Sequence, residues 1–154
     1  MPRGGSSIAL SPERSGRLAD RLAWAAVLCG ALSVLALALA LSPDPTGTGT
    51  HTQLGLPPCA LLAWAGLPCP ACGLTTSFAH IAHLQWSDAL RSNAAGVPLF
   101  AAVLSAALLS PLALWRGWSI DHVMRRLRIE RVAVALGVLL GAVWLLRMGA
   151  ILLA

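Results

Sequence analysis

The sequence predicts an all-α membrane protein with about three transmembrane helices and a long external connection between the first and the second. Three observations lead there. Hydrophobic residues fill 57% of the 154 positions and charged residues only 11%, whereas a soluble domain carries about 25% charged residues. Three apolar stretches reach the ~20 residues needed to cross a bilayer. The basic residues are all arginine, with no lysine, and most of them gather in two short segments that flank those stretches. The net charge of +5 therefore reads as membrane topology and not as a nucleic-acid footprint, and no nucleic-acid partner is expected.

Residues 1–21 form a tail that holds Arg3, Arg14, Arg17 and Arg21. The run Leu22–Leu41 is the first span. Ala38 and Ala40 supply an A-x-A-like cleavage site, but the apolar core exceeds the ~7–15 residues of a signal peptide, so an uncleaved anchor is expected. Residues 42–93 connect it to the second span, Ala94–Trp115, which tolerates Gly96, Pro98, Ser105, Ser110 and Pro111 as membrane helices do. The loop 116–131 carries Arg116, Arg125, Arg126, Arg128 and Arg131. The third span, 132–154, is interrupted by Arg147 alone. Trp24, Trp115, Trp118 and Trp144 lie near the expected interfaces, where indole rings are favoured. The positive-inside rule places the tail and the 116–131 loop in the cytoplasm and the 42–93 connection, which has one arginine, Arg91, outside.

Within that connection, Ser42–Thr52 (SPDPTGTGTHT) reads as a flexible, solvated loop. Leu54–Leu67 is apolar but too short to span, which suits an interfacial or re-entrant element. Pro68 and Pro70 stop regular structure, a helix is expected over Gly73–Leu84, and Trp86–Asn93 forms a second short helix with a surface pair between Asp88 and Arg91. At about 100° per residue, Thr76, His80 and His83 fall on the same face as Cys72, opposite Leu74, Phe78 and Ile81.

The chemistry is concentrated in Cys69-Pro70-Ala71-Cys72, a C-x-x-C ahead of a helix. Three roles are open to it: a static disulfide, a redox-active pair with Cys69 as nucleophile, or a metal site. A thiolate at a helix start is stabilised by the helix dipole and by unpaired N–H groups. Cys59 is a resolving thiol or a bridge partner, and Cys29, mid-span, a small buried apolar residue. Cys69, Cys72, His80 and His83 together resemble a zinc string, but Cys72 and His80 would stand about 12 Å apart along a straight helix, against metal–ligand bonds of ~2.0–2.3 Å. No motif demands a cofactor, and zinc or copper is what such donors would take. His51 and His122 sit on loops with no partner identifiable from sequence. Arg147 either snorkels or pairs with the external segment.

The run Cys69-Pro70-Ala71-Cys72-Gly73-Leu74-Thr75-Thr76, extended by Ser77-Phe78-Ala79-His80, resembles the C-P-x-C-G-x-T hallmark of the domain of unknown function 2752 family of small bacterial membrane proteins. The resemblance covers roughly Leu54–Leu114. The chain departs from it at His83-Leu84, where members often carry a basic-Gly pair, and at Asn93-Ala94, where they carry Asn-Pro. The resemblance implies a multi-pass protein of the bacterial inner membrane and assigns no reaction. The expected function is a non-enzymatic scaffold or accessory subunit docking a membrane or periplasmic protein in the lipid bilayer. The alternatives are a thiol–disulfide carrier and a metal-handling protein. The 42–93 connection is a short stretch in which to build a substrate cleft, so an enzyme is the less expected class.

Overall fold

The computed structural model describes residues 12–153; residues 1–11, with Arg3, and Ala154 lie outside the described residues. Helix α1 (Pro12–Ala40) is followed by a 3-10 turn (Thr50–Leu54), α2 (Ala60–Ala65), α3 (Leu74–Ala82), α4 (Trp86–Asn93), α5 (Gly96–Arg116), α6 (Ile120–Arg126) and α7 (Ile129–Leu152). Among the described residues there is no strand. Helices α1, α5 and α7 are long and apolar enough to cross a membrane. The 25 residues Gly16–Ala40 rise about 37 Å, enough for a hydrocarbon core of about 30 Å. Helix α1 begins well before Leu22, because hydropathy marks the lipid-facing part of a helix and not its first turn.

The packing of α1 on α5 uses small side chains. Ala31 and Ala38 are buried on α1, and Ala107, Ser110 and Ala113 on α5. Such residues let two backbones approach where lipid supplies no hydrophobic drive between helices. Ser110 returns its hydroxyl to the Ala106 carbonyl at 2.7 Å, so its burial leaves no orphan group. Helix α7 differs: none of its residues is buried, its contacts with other helices are mainly with α6, and every face is apolar.

The two ends of the bundle are chemically distinct. At one, the Trp24 indole N–H donates to the Trp118 carbonyl at 2.9 Å, and the Ile120 amide donates to Asp20 at 3.0 Å. Arg17, Arg21 and Arg116 line a cleft there, and the Arg116 guanidinium sits 5.6 Å from the Trp118 ring centre. Trp24 is buried inside the bundle, while Trp115 is exposed. His122 faces a neighbouring cavity with Trp24, Trp118 and Arg126.

At the other end, α3 packs on α1, α4 and α5, and α4 also packs on α5. Phe78 meets Phe100 edge-on at 5.3 Å, and Ile81 is buried. The Ser42–Thr52 loop, expected to be flexible, is pinned instead. Gln53 brackets Ser42 through both its amide atoms, and buried Thr50 accepts from the Asp44 amide and donates to Thr76 at 2.8 Å. Thr46 donates two hydrogen bonds to the Asp44 carboxylate and holds its pKa below the usual value. Asp88 and Arg91 form the surface pair at 3.7 Å. Cys29 is exposed on the outer face of α1, not buried, because the α1–α5 seam runs along other residues.

Two glycines set the corner where α3, α4 and α5 meet. Gly73 has φ +81°, and a Cβ on it would strike the Ser92 carbonyl and lie 2.8 Å from the Gly47 carbonyl. A Cβ on Gly96 would run into the Ser77 side chain. Gly73→Ala is expected to lower stability by about 1–3 kcal/mol, measured as thermal unfolding of the detergent-solubilised protein. A methyl group at Gly137 of α7 would meet no heavy atom within 4 Å, and Gly137→Ala should stay within about 0.5 kcal/mol or stabilise slightly. Equal stability of the two variants would contradict this packing.

Candidate functional site

The cysteine turn is built by what proline removes. Pro68 and Pro70 have no N–H, so the chain around them cannot enter a regular helix, and its carbonyls must find other donors. Two overlapping turns form, with the Cys72 amide donating to the Cys69 carbonyl and the Leu74 amide to the Ala71 carbonyl, both at 3.0 Å. Gly73, in the left-handed region, then starts α3. The remaining carbonyls are met by side chains from distant helices. The Trp144 indole donates to Pro68 at 2.8 Å, and the Asn93 amide donates to Pro70 at 3.4 Å and to Cys72 at 3.2 Å. Arg147 donates to the same Cys72 carbonyl at 3.0 Å. Pairing with this segment, and not snorkelling, is therefore what Arg147 does.

Asn93 is buried, and its side-chain oxygen accepts from the Ala95 amide while its backbone carbonyl accepts from Ser77. It closes the α4–α5 corner and the cysteine turn together.

This scaffold brings three thiols together. The Sγ atoms of Cys59, Cys69 and Cys72 all lie within 4.8 Å of one another. Cys72 is buried and the other two are half-buried. All three are free thiols here and no pair is at disulfide distance, so the bridge that was one of the three open roles is not seen. The Cys69 amide donates to Cys72 Sγ at 3.2 Å, a bond that steadies negative charge on sulfur. Beside the cluster is a cavity of about 430 Å³ that His51, Leu62, Thr75 and Thr76 also line.

The thiols are electrostatically unequal. Cys59 immediately precedes α2, and its pKa is lowered to about 7, first by the Leu62 backbone N–H and then by the neighbouring Cys72 and Cys69 thiols. Burial, with the two nearby sulfurs, pushes the Cys72 thiol up to about 12. The acidified thiol is therefore Cys59. The sequence reading gave the nucleophile role to Cys69; the helix start that acidifies Cys59 is that of α2, which begins at Ala60.

The histidines of the zinc-like string stay apart from the sulfurs. His80 Nδ1 bonds Gln85 at 2.6 Å, and His83, past the end of α3, bonds the Ala79 carbonyl at 2.8 Å. Cys72 lies before α3, so it does not continue the helical face of Thr76 and His80. Thr76 is wholly buried against Thr50, while His83 is exposed. Of the motif residues, Thr75 and Thr76 join the three cysteines around the cavity, and Pro70 and Gly73 shape the turn. Trp144 and Thr50 were not legible as site residues, and Asn93 only as the Asn of the family's Asn-Pro. The signal for Asn93 was its place at the end of a polar helix just before an apolar span, and the other two gave none.

Residues 59–107 match the model of a family described as "Protein of unknown function (DUF2752)". The resemblance read from the motif holds over that segment, which contains all three clustered cysteines and Asn93. No curated protein and no solved structure matches the chain.

The unequal thiols make a reactivity prediction. In reduced, metal-free protein, iodoacetamide should alkylate Cys59 with a rate that rises with pH through a midpoint near 7, since the thiolate is the nucleophile. Cys72 should remain unmodified from pH 6 to 9 until the protein is unfolded. Peptide mapping by mass spectrometry reads both, and first modification at Cys72 would overturn the assignment.

Proposed function

We propose that this chain is a multi-pass membrane protein that holds a soft metal ion, zinc or copper(I), on the thiolates of Cys59, Cys69 and Cys72. The observation that carries this is the convergence of three sulfurs within 4.8 Å. Three thiolates around one ion at ~2.3 Å stand about 4 Å from one another in a trigonal set, so small inward shifts suffice. An odd number of clustered thiols cannot pair off as disulfides, whereas a metal uses all three. Thiolate donors select zinc and copper(I) over harder ions. Coordination also deprotonates a thiol outright, which removes the burial penalty that keeps Cys72 protonated. The scaffold reading has no comparable feature in the geometry to single it out.

The arginine distribution supports placing the cluster outside the cytoplasm. Arg17, Arg21, Arg116 and Arg126 line clefts at the end of the bundle opposite the sulfurs, and cytoplasmic ends carry the arginine excess. Exposed Leu54, Leu56, Leu61 and Trp64, the last 92% exposed, support an interfacial position for the 54–67 segment. A second reading, a thiol–disulfide carrier, is favoured by one observation: Cys59 is acidic and has two thiols beside it.

Gently purified protein should contain one zinc or copper ion per chain by elemental analysis. That ion should be lost in Cys59→Ser, Cys69→Ser and Cys72→Ser and kept in Cys29→Ser. In intact cells, after chelation and mild reduction, a membrane-impermeant maleimide should label Cys59 and Cys69 but not Cys29. Metal-free protein that takes up no added zinc or copper(I), together with a mixed disulfide captured through Cys59 in the Cys69→Ser variant, would replace this reading with the carrier. Labelling only after permeabilisation would reverse the orientation.

A further inference from the structure

Three thiolates leave one position of a tetrahedral ion unfilled, and a single remaining side chain around the cavity is a strong metal ligand. His51 lines the same cavity as Cys59, Cys69 and Cys72. It stands on the 3-10 turn Thr50–Leu54, and its backbone is placed by its neighbour Thr50, which is fully buried and bonded to Thr76. Thr76 borders that cavity too.

The ring is held by a hydrogen bond and stands outside the set of donors that lie within 4.8 Å of one another, so it must swing toward the sulfurs to ligate. His51 Nε2 lies 3.2 Å from the carbonyl oxygen of Pro57, two residues before Cys59. A carbonyl only accepts, so Nε2 carries the proton, and in the neutral ring the lone pair stands on Nδ1. Metal-bound histidines commonly donate their other N–H to a backbone carbonyl, which fixes tautomer and orientation. His80 and His83 do not border the cavity, so neither ring can reach the sulfurs from where it stands.

We infer that His51, through Nδ1, is the fourth ligand of the cluster and makes it a closed Cys3His centre. This inference rests on the three-thiolate reading above. A neutral imidazole adds no charge, so zinc with three thiolates and His51 would carry a net charge of −1. A filled fourth position also excludes the water that an open zinc site retains.

Cobalt(II) replacing zinc in the full-length, detergent-solubilised protein tests it. Wild type should bind one cobalt with a thiolate charge-transfer band and an intense visible d–d envelope of tetrahedral coordination. His51→Ala should keep the charge-transfer band, shift and weaken the visible envelope, and lose about tenfold or more in cobalt affinity. His51→Cys should restore an intense envelope with a stronger charge-transfer band, and it guards against a fold defect in His51→Ala. His80→Ala should match wild type. Unchanged spectrum and affinity in His51→Ala, with wild type binding cobalt, would overturn this inference and leave the three-thiolate site standing. No cobalt uptake by wild type would overturn both.

Discussion

The carbonyls of Pro68, Pro70 and Cys72 are the constraint on which the cysteine end of the molecule depends. Two prolines in three residues forbid a helix, and a site beside a bilayer has little water to spare for unpaired backbone oxygens. Each unmet carbonyl would cost about 1–3 kcal/mol. The donors arrive from α4 and α7: Asn93, Trp144 and Arg147. The turn thus fixes where two distant helices end up, and they in turn hold the backbone on which Cys69 and Cys72 stand. Sulfur geometry follows from oxygen satisfaction.

A second layer of order comes from small polar side chains. Thr50, Thr76, Ser77, Ser92 and Asn93 are buried between the loop, α3 and the α4–α5 corner. Among the described residues no buried side-chain polar atom lacks a partner. Fully paired networks of this kind specify one arrangement, because any slip leaves groups unpaired. The network also explains why the 42–52 loop lies close over the cluster although its composition is that of a solvated coil. Composition reports what a segment can do alone, whereas Thr50 is ordered by Thr76, which is 26 residues away.

Much of the architecture was legible because it is written in hydropathy. The three long helices, the short helix after the C-x-x-C and the Trp86–Asn93 helix all follow from apolar run length, proline stops and periodicity. The site was legible only in part. Cys69 and Cys72 announce themselves by spacing, but Cys59 reaches them through the fold of α2, which no period in the sequence encodes. The helical wheel placed Cys72 on a face with His80 by extending α3 backward through Gly73. The left-handed conformation there breaks that extension, so a correct period was applied two residues too far. Arg147 was recognisable as costly in lipid, and that cost is relieved at the Cys72 carbonyl.

Helix α7 has no buried residue and no polar face, yet Trp144 and Arg147 both donate to the cysteine turn. Residues three apart lie on one side of a helix, so these two donors fix which side of α7 faces the turn. Leu136, Leu140 and Val143 share that side and are half-buried, whereas Val134, Val138, Leu145 and Leu146 are exposed. Evolutionary drift on the exposed side of this helix should therefore be nearly neutral, while the half-buried side is held. The exposed side of the last span can be rewritten while the sulfur site is held unchanged.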